Sequence, residues 1–222
     1  MSEERMTLST EGFQFIGKMT ASITHEIKNA LAVIRENAGL MEDLIDMGER
    51  KGDLDPSRIR NLAGKIGDYA MKADGIVQNM NRFGHSMDAP DAELDLGETV
   101  ALLVALAGRL ASMRGVTLEV RPPDAPVWIQ THPLFLETLL WGMLDVAMDA
   151  AGTDKRLVLS LEQVETGGGR LRVSGVEADT GLKALGSPSE GFEAMQRLLG
   201  AEVSCSAPGA EMTLRLPGKL AG

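Results

Sequence analysis

Apolar residues at Ile16, Met19, Ile23, Ile27, Leu31, Ile34, Met41 and Ile45 recur at steps of three, four or seven, the spacing of one face of a long helix. The pattern predicts a helix over residues 9–49 with Ser9 as its N-cap. The run Gly52-Asp53-Leu54-Asp55-Pro56 then reads as a turn, with Pro56 opening a second helix. In that helix Ile59, Leu62, Ile66, Tyr69, Ala73, Ile76, Met80 and Phe83 alternate steps of three and four, which is a heptad seam. Two long helices joined by a short turn predict an antiparallel hairpin with more apolar face than it can bury alone. Pairing with a second copy as a four-helix bundle buries the remainder, so the pattern predicts a homodimer.

The polar, proline-containing stretch Asp88-Ala89-Pro90-Asp91-Ala92 marks a domain boundary. Beyond it the periodicity changes. Residues 94–111 read as a strand-like entry and a helix, 116–120 and 127–130 as strands, and 134–150 as an apolar helix. Residues 157–164 and 170–176 flank Thr166-Gly167-Gly168-Gly169, a β-hairpin signature. A short helix over 191–199 and strands over 202–207 and 212–216, turning at Pro208-Gly209, complete the pattern. The predicted fold class is α+β: a helical hairpin over 1–88, then an α/β sandwich over 93–222 with helices on one face of a mixed sheet.

Composition narrows the function. Hydrophobic residues make up 44% and aromatics only 4%, with 13 methionines, a mix suited to helix packing. The formal charge of −10 argues against attraction to nucleic acid or to an anionic membrane surface. A single cysteine, Cys205, excludes an intrachain disulfide, and three widely spaced histidines leave no zinc site. No uninterrupted apolar run approaches the roughly 18 residues of a membrane span, and the start Met1-Ser2-Glu3-Glu4-Arg5 lacks the order of a signal peptide. The expectation is a cytoplasmic chain with neither a nucleic-acid nor a membrane partner.

The candidate chemistry lies in Thr24-His25-Glu26-Ile27-Lys28-Asn29. At about 100° per residue, His25 lies roughly 160° from both Ile23 and Ile27, so it points away from the apolar stripe, and Asn29 falls roughly 40° from it. Lys18, Ser22 and Glu36 extend a polar strip along that side. An exposed His-Glu pair alone is ordinary solvated surface, and Lys28 is best read as a solvating charge. His25-Glu26-Ile27-Lys28-Asn29 followed by Leu31-Ala32-Val33-Ile34 is more specific. It resembles the phosphoacceptor helix of two-component histidine kinases, with Ala30 where that family usually has proline. The resemblance implies His25 as the nucleophile, Glu26 as the group that orients and balances the imidazole, and Asn29 as a donor to a phosphoryl oxygen or to a water.

The order of downstream elements resembles the ATP-binding domain of the same kinases, without its chemistry. The family's helix carries an asparagine that holds the magnesium ion of ATP; aligned on Met148-Asp149-Ala150, that place is taken by Val146, which cannot ligate a hard cation. Asp145 is adjacent, one helical step of about 100° away. Asp179-Thr180-Gly181 keeps part of the next signature, but Leu182-Lys183 follow where a second glycine is expected, and the lid is reduced to Ala184-Leu185-Gly186-Ser187-Pro188. An intact histidine motif beside a degenerate ATP domain is similar to the dimeric histidine phosphotransferases of bacterial phosphorelays, of the sporulation and ChpT types. That resemblance implies a shuttle of phosphoryl groups between His25 and the aspartates of response-regulator receiver domains. It also implies that this chain binds no cofactor, that Mg²⁺ belongs to the receiver, and that a sensor histidine kinase is a further partner. The alternatives are a receiver phosphatase that uses Asn29, a non-enzymatic pseudokinase, and, with least support, an active kinase.

Overall fold

The computed structural model describes residues 3–51, 54–164, 167–177, 188–206 and 211–220. Helix α1 (Glu3–Lys51) starts two turns before the sequence pattern suggests. Ser9 is inside it, and its hydroxyl donates to the Arg5 carbonyl at 2.8 Å instead of capping the start. Helix α2 (Pro56–His85) begins as expected at a proline. The Asp55 carboxylate accepts from the Ser57 hydroxyl at 2.6 Å and the Ser57 amide at 2.9 Å, which holds that carboxyl below its ordinary range. Gly52 and Asp53, in the expected turn, fall outside the described residues.

The chain divides into two compact units, Thr20–Asn81 and a second that joins Met1–Met19 to Arg82–Gly222. The first is helical. Ile59, Leu62, Ile66, Tyr69, Ala73 and Ile76 of the seam are half-buried, while Met80 is exposed. On α1 the buried line differs from the predicted stripe. Leu8, Gly12, Phe15, Met19, Ser22, Ile23, Ala30 and Asn37 are buried, whereas Leu31 is 53% exposed. Gly12, Ser22 and Ala30 on this line are small and add nothing to a pattern of large apolar residues, although they are buried. Leu40, Met47, Met71 and Val77 also remain exposed, more apolar surface than a lone hairpin covers.

The second unit is a two-layer sandwich. Strand β1 (Ala92–Asp95) leads into α3 (Leu96–Met113), then β2 (Thr117–Arg121), β3 (Trp128–Thr131) and α4 (Pro133–Asp149). Strands β4 (Arg156–Gln163) and β5 (Gly169–Ser174), helix α5 (Glu190–Leu199), and strands β6 (Glu202–Ser206) and β7 (Glu211–Leu216) follow. The main sheet has the order β2-β4-β5-β7-β6, with β2 parallel to β4 and the other neighbours antiparallel; β1 and β3 form a separate antiparallel ribbon. This is the mixed sheet that the alternating pattern predicts. Between the layers Val100 and Leu103 of α3 and Leu140, Met143 and Leu144 of α4 meet Leu159, Leu171 and Val173 of the sheet. Helix α3 is long and apolar enough to cross a bilayer by length and composition, yet this contact gives it the role of a core helix.

Local signals fix the junctions. Asp95 caps α3 by accepting from the Gly97 amide at 2.9 Å, and also accepts from the Val127 amide at 3.2 Å. The β4–β5 tip runs through Gly167 and Gly168 at φ of 83° and 93°, and at Gly168 a Cβ would run into the Leu216 carbonyl oxygen. Helix α5 starts at Ser189, whose hydroxyl accepts from the Phe192 amide at 3.1 Å, and stops at Gly200 with φ of 59°. The expected turn at Pro208-Gly209 and Thr166 of the β4–β5 hairpin fall outside the described residues.

Candidate functional site

Residues 24–29 sit in the middle of an unbroken helix. Regular α1 passes through Ala30, which is buried, with no interruption where a proline would remove a hydrogen bond. His25 and Asn29 are exposed, and their i, i+4 spacing puts them on one face, one turn apart. Neither side chain makes a hydrogen bond or ion pair to the described residues, so the imidazole and the amide are open to an incoming molecule. Glu26 is half-buried. Adjacent helical residues point about 100° apart, and no hydrogen bond joins Glu26 to His25. The polar strip expected beside His25 is interrupted, because Ser22 is buried and its hydroxyl has no partner. Ser22 follows Phe15 by seven residues, roughly 20° round the helix, and so lies on the same buried line. Lys28 and Glu36 are exposed, as surface charges are.

The second locality is the face of α4 that carries Val146 and Asp145. Val146 lines a cavity of about 360 Å³ and offers no donor atom. Asp145 lines it too, with its carboxylate already engaged: Oδ1 accepts from Arg114 Nη2 at 2.6 Å and Oδ2 from Lys18 Nζ at 3.2 Å. Arg114 also pairs with Asp149 at 3.4 Å. A divalent cation at Asp145 would have to displace two side-chain cations, so these residues do not suit Mg²⁺. Asp179, Thr180, Gly181, Leu182, Lys183 and the lid residues 184–187 fall outside the described residues.

The sequence pattern gave no hint of Lys18 at this place, because its partner Asp145 is 127 residues away. Glu137 was equally silent. It lies on the apolar side of α4, 5% exposed, and its Oε2 is 2.8 Å from the Ser86 hydroxyl. Burial raises its carboxyl from 4.5 to about 7, with the Ser86 hydrogen bond opposing. An acidic residue within the apolar run of 133–149 is the only sequence signal for it.

No family model matches the chain. It is 25% identical over 138 residues to the C4-dicarboxylate transport sensor protein DctB of Pseudomonas aeruginosa, an alignment that takes in 61% of this chain and 21% of that protein. The match therefore spans about a fifth of that relative's length. Among solved structures it is similar to the catalytic domain of histidine kinase ThkA, with 15% identity and a TM-score of 0.48, over 60% of this chain and all of that one. The Acinetobacter baumannii histidine kinase AdeS matches at 13% identity and a TM-score of 0.42, over 83% of this chain and 96% of that one.

Proposed function

We propose that this chain is a histidine phosphotransferase of a two-component phosphorelay. The observation that carries the reading is the display of His25 and Asn29, uncommitted and one turn apart, on a continuous helix whose motif resembles that of a phosphoacceptor. The partial sequence similarity to a sensor protein supports the same general class. In the reaction His25 attacks the phosphorus of a receiver's aspartyl phosphate; the phosphorus–oxygen bond to the aspartate breaks, and the carboxylate leaves with its electron pair. Reversal onto a second receiver's carboxylate regenerates the imidazole. Asn29 donates to a phosphoryl oxygen as charge spreads over it. Glu26, half-buried beside the site, contributes a negative field toward the charged imidazole. The receiver supplies Mg²⁺.

The degenerate α4 face favours transfer over autophosphorylation. Val146 and an Asp145 held by Lys18 and Arg114 leave no free oxygen ligand on this face, among the described residues, to position the metal of ATP·Mg²⁺. The half-buried seam of α2 and the exposed Leu31, Leu40 and Met71 support a homodimeric four-helix bundle as the working form. Mixing the chain with a receiver carrying labelled aspartyl phosphate tests the reading. Label appearing on the chain supports transfer. Phosphate released without label supports a receiver phosphatase that uses Asn29, and neither outcome supports an interaction module.

A further inference from the structure

Three elements converge on the carboxylates of α4. Asp145 and Asp149 stand at i and i+4 near the end of that helix, on one side and one turn apart. Arg114, the C-cap of α3, spans both. Its Nη2 donates to Asp145 Oδ1 at 2.6 Å, its Nη1 to the Asp145 carbonyl oxygen at 3.3 Å, and its Nε lies 3.4 Å from Asp149 Oδ1. Lys18 of α1 takes the other oxygen of Asp145, with Nζ 3.2 Å from Oδ2.

Lys18 is delivered there by its own helix. Phe15 and Met19, on either side of it, are 2% and 0% exposed, and the Phe15 ring stacks on Trp141 at 6.5 Å. The ammonium lies 4.6 Å from the centre of the same Trp141 ring, so it is shared between a carboxylate and an aromatic face. Two carboxylates thus meet two monovalent cations, the charge balance that one divalent ion would bring. The Lys18 pair is 41% and 30% exposed on its two sides, and a single pair of that kind is weak. Occupancy matters more than strength here, because tethered cations compete with free ones at an effective concentration of roughly millimolar.

We propose that Lys18 and Arg114 are the resident cations of a latent cation site on α4, and that their occupancy keeps a divalent metal off Asp145 and Asp149. Lys18 is then the residue of α1 that sets the metal independence of this face. The exclusion is separate from any chemistry at His25, so its test reads no phosphoryl transfer.

Terbium(III) is the probe, because it seeks oxygen ligands as Ca²⁺ and Mg²⁺ do and emits when a tryptophan beside it, here Trp141, is excited. In the full chain, Lys18→Met/Arg114→Met removes both charges and keeps the side chains long. The double variant should bind terbium roughly tenfold more tightly than the wild type or better, and adding Asp145→Asn should abolish the gain. Excess Mn²⁺ should displace the bound terbium. Lys18→Met alone leaves Arg114 across the carboxylates and should give a smaller gain in the same direction; it decides the question if circular dichroism shows the double variant unfolded. Binding in the variants no tighter than in the wild type, or a gain that survives Asp145→Asn, would overturn the proposal, because the placement of the oxygens and not the resident charge would then exclude the metal.

Discussion

Glu137 is a carboxyl placed where ionisation is costly, and its replacement by glutamine should change the pH dependence of stability in a calculable way. Its pKa moves from 4.5 to about 7 on folding, so the native state holds the proton more tightly than the unfolded chain. For an acid shifted upward, this contribution is fully present below 4.5, is lost as pH rises toward 7, and changes no further above that. At about 1.4 kcal/mol per pH unit the full loss is about 3 kcal/mol. The isoelectric point near 4.8 favours working above it, and from about pH 5.5 to about pH 8 the wild type should lose about 2 kcal/mol through this group. Glu137→Gln keeps an acceptor for Ser86 and removes the titration. Urea unfolding, followed by far-ultraviolet circular dichroism, should therefore show the variant gaining about 2 kcal/mol on the wild type across that interval. The other carboxyls titrate in both proteins and cancel. A stability difference that stays constant with pH would refute the reasoning and place an ionised Glu137 comfortably in the fold.

Three further outcomes are expected. Gly168→Ala forces a side chain into the left-handed region and against the Leu216 carbonyl, and should lower thermal stability by roughly 1–3 kcal/mol, read from the melting curve. Ile66→Asp puts a charge into the half-buried seam and should convert the proposed dimer to monomer or aggregate in light scattering; a wild-type monomer at micromolar concentration would remove the bundle from the account. Calorimetry with ATP and Mg²⁺ should detect no binding tighter than millimolar, and a micromolar Kd abolished by Asp179→Ala would restore the kinase reading.

Elements of the sandwich were legible because each carries a local cause. The pre-helical Asp95 and Ser189, the glycines of the β4–β5 tip and the two periodicities all act over a few residues. The buried line of α1 was less legible. Glycine, serine and alanine at positions 12, 22 and 30 contribute burial without adding to an apolar pattern, so the stripe drawn through Leu31 was rotated from the real one. The separate β1–β3 ribbon and the sheet order depend on pairings between distant residues, which no short pattern encodes. The same holds for the site. His25 and Asn29 were read from one helical turn, whereas the Lys18–Asp145–Arg114 group unites three elements. Their joining shows why Asp145 is no free carboxylate for a metal.

The central claim is that His25 receives a phosphoryl group, and the most direct measurement is the fate of label from a phosphorylated receiver. The wild-type chain should acquire label that is stable in alkali and lost in acid, as a phosphorus–nitrogen bond is, while His25→Ala should acquire none and still bind the receiver. The exposed position of His25 makes that substitution mild for the fold. Undiminished labelling of the His25→Ala chain would contradict the account and leave the interaction-module reading in its place.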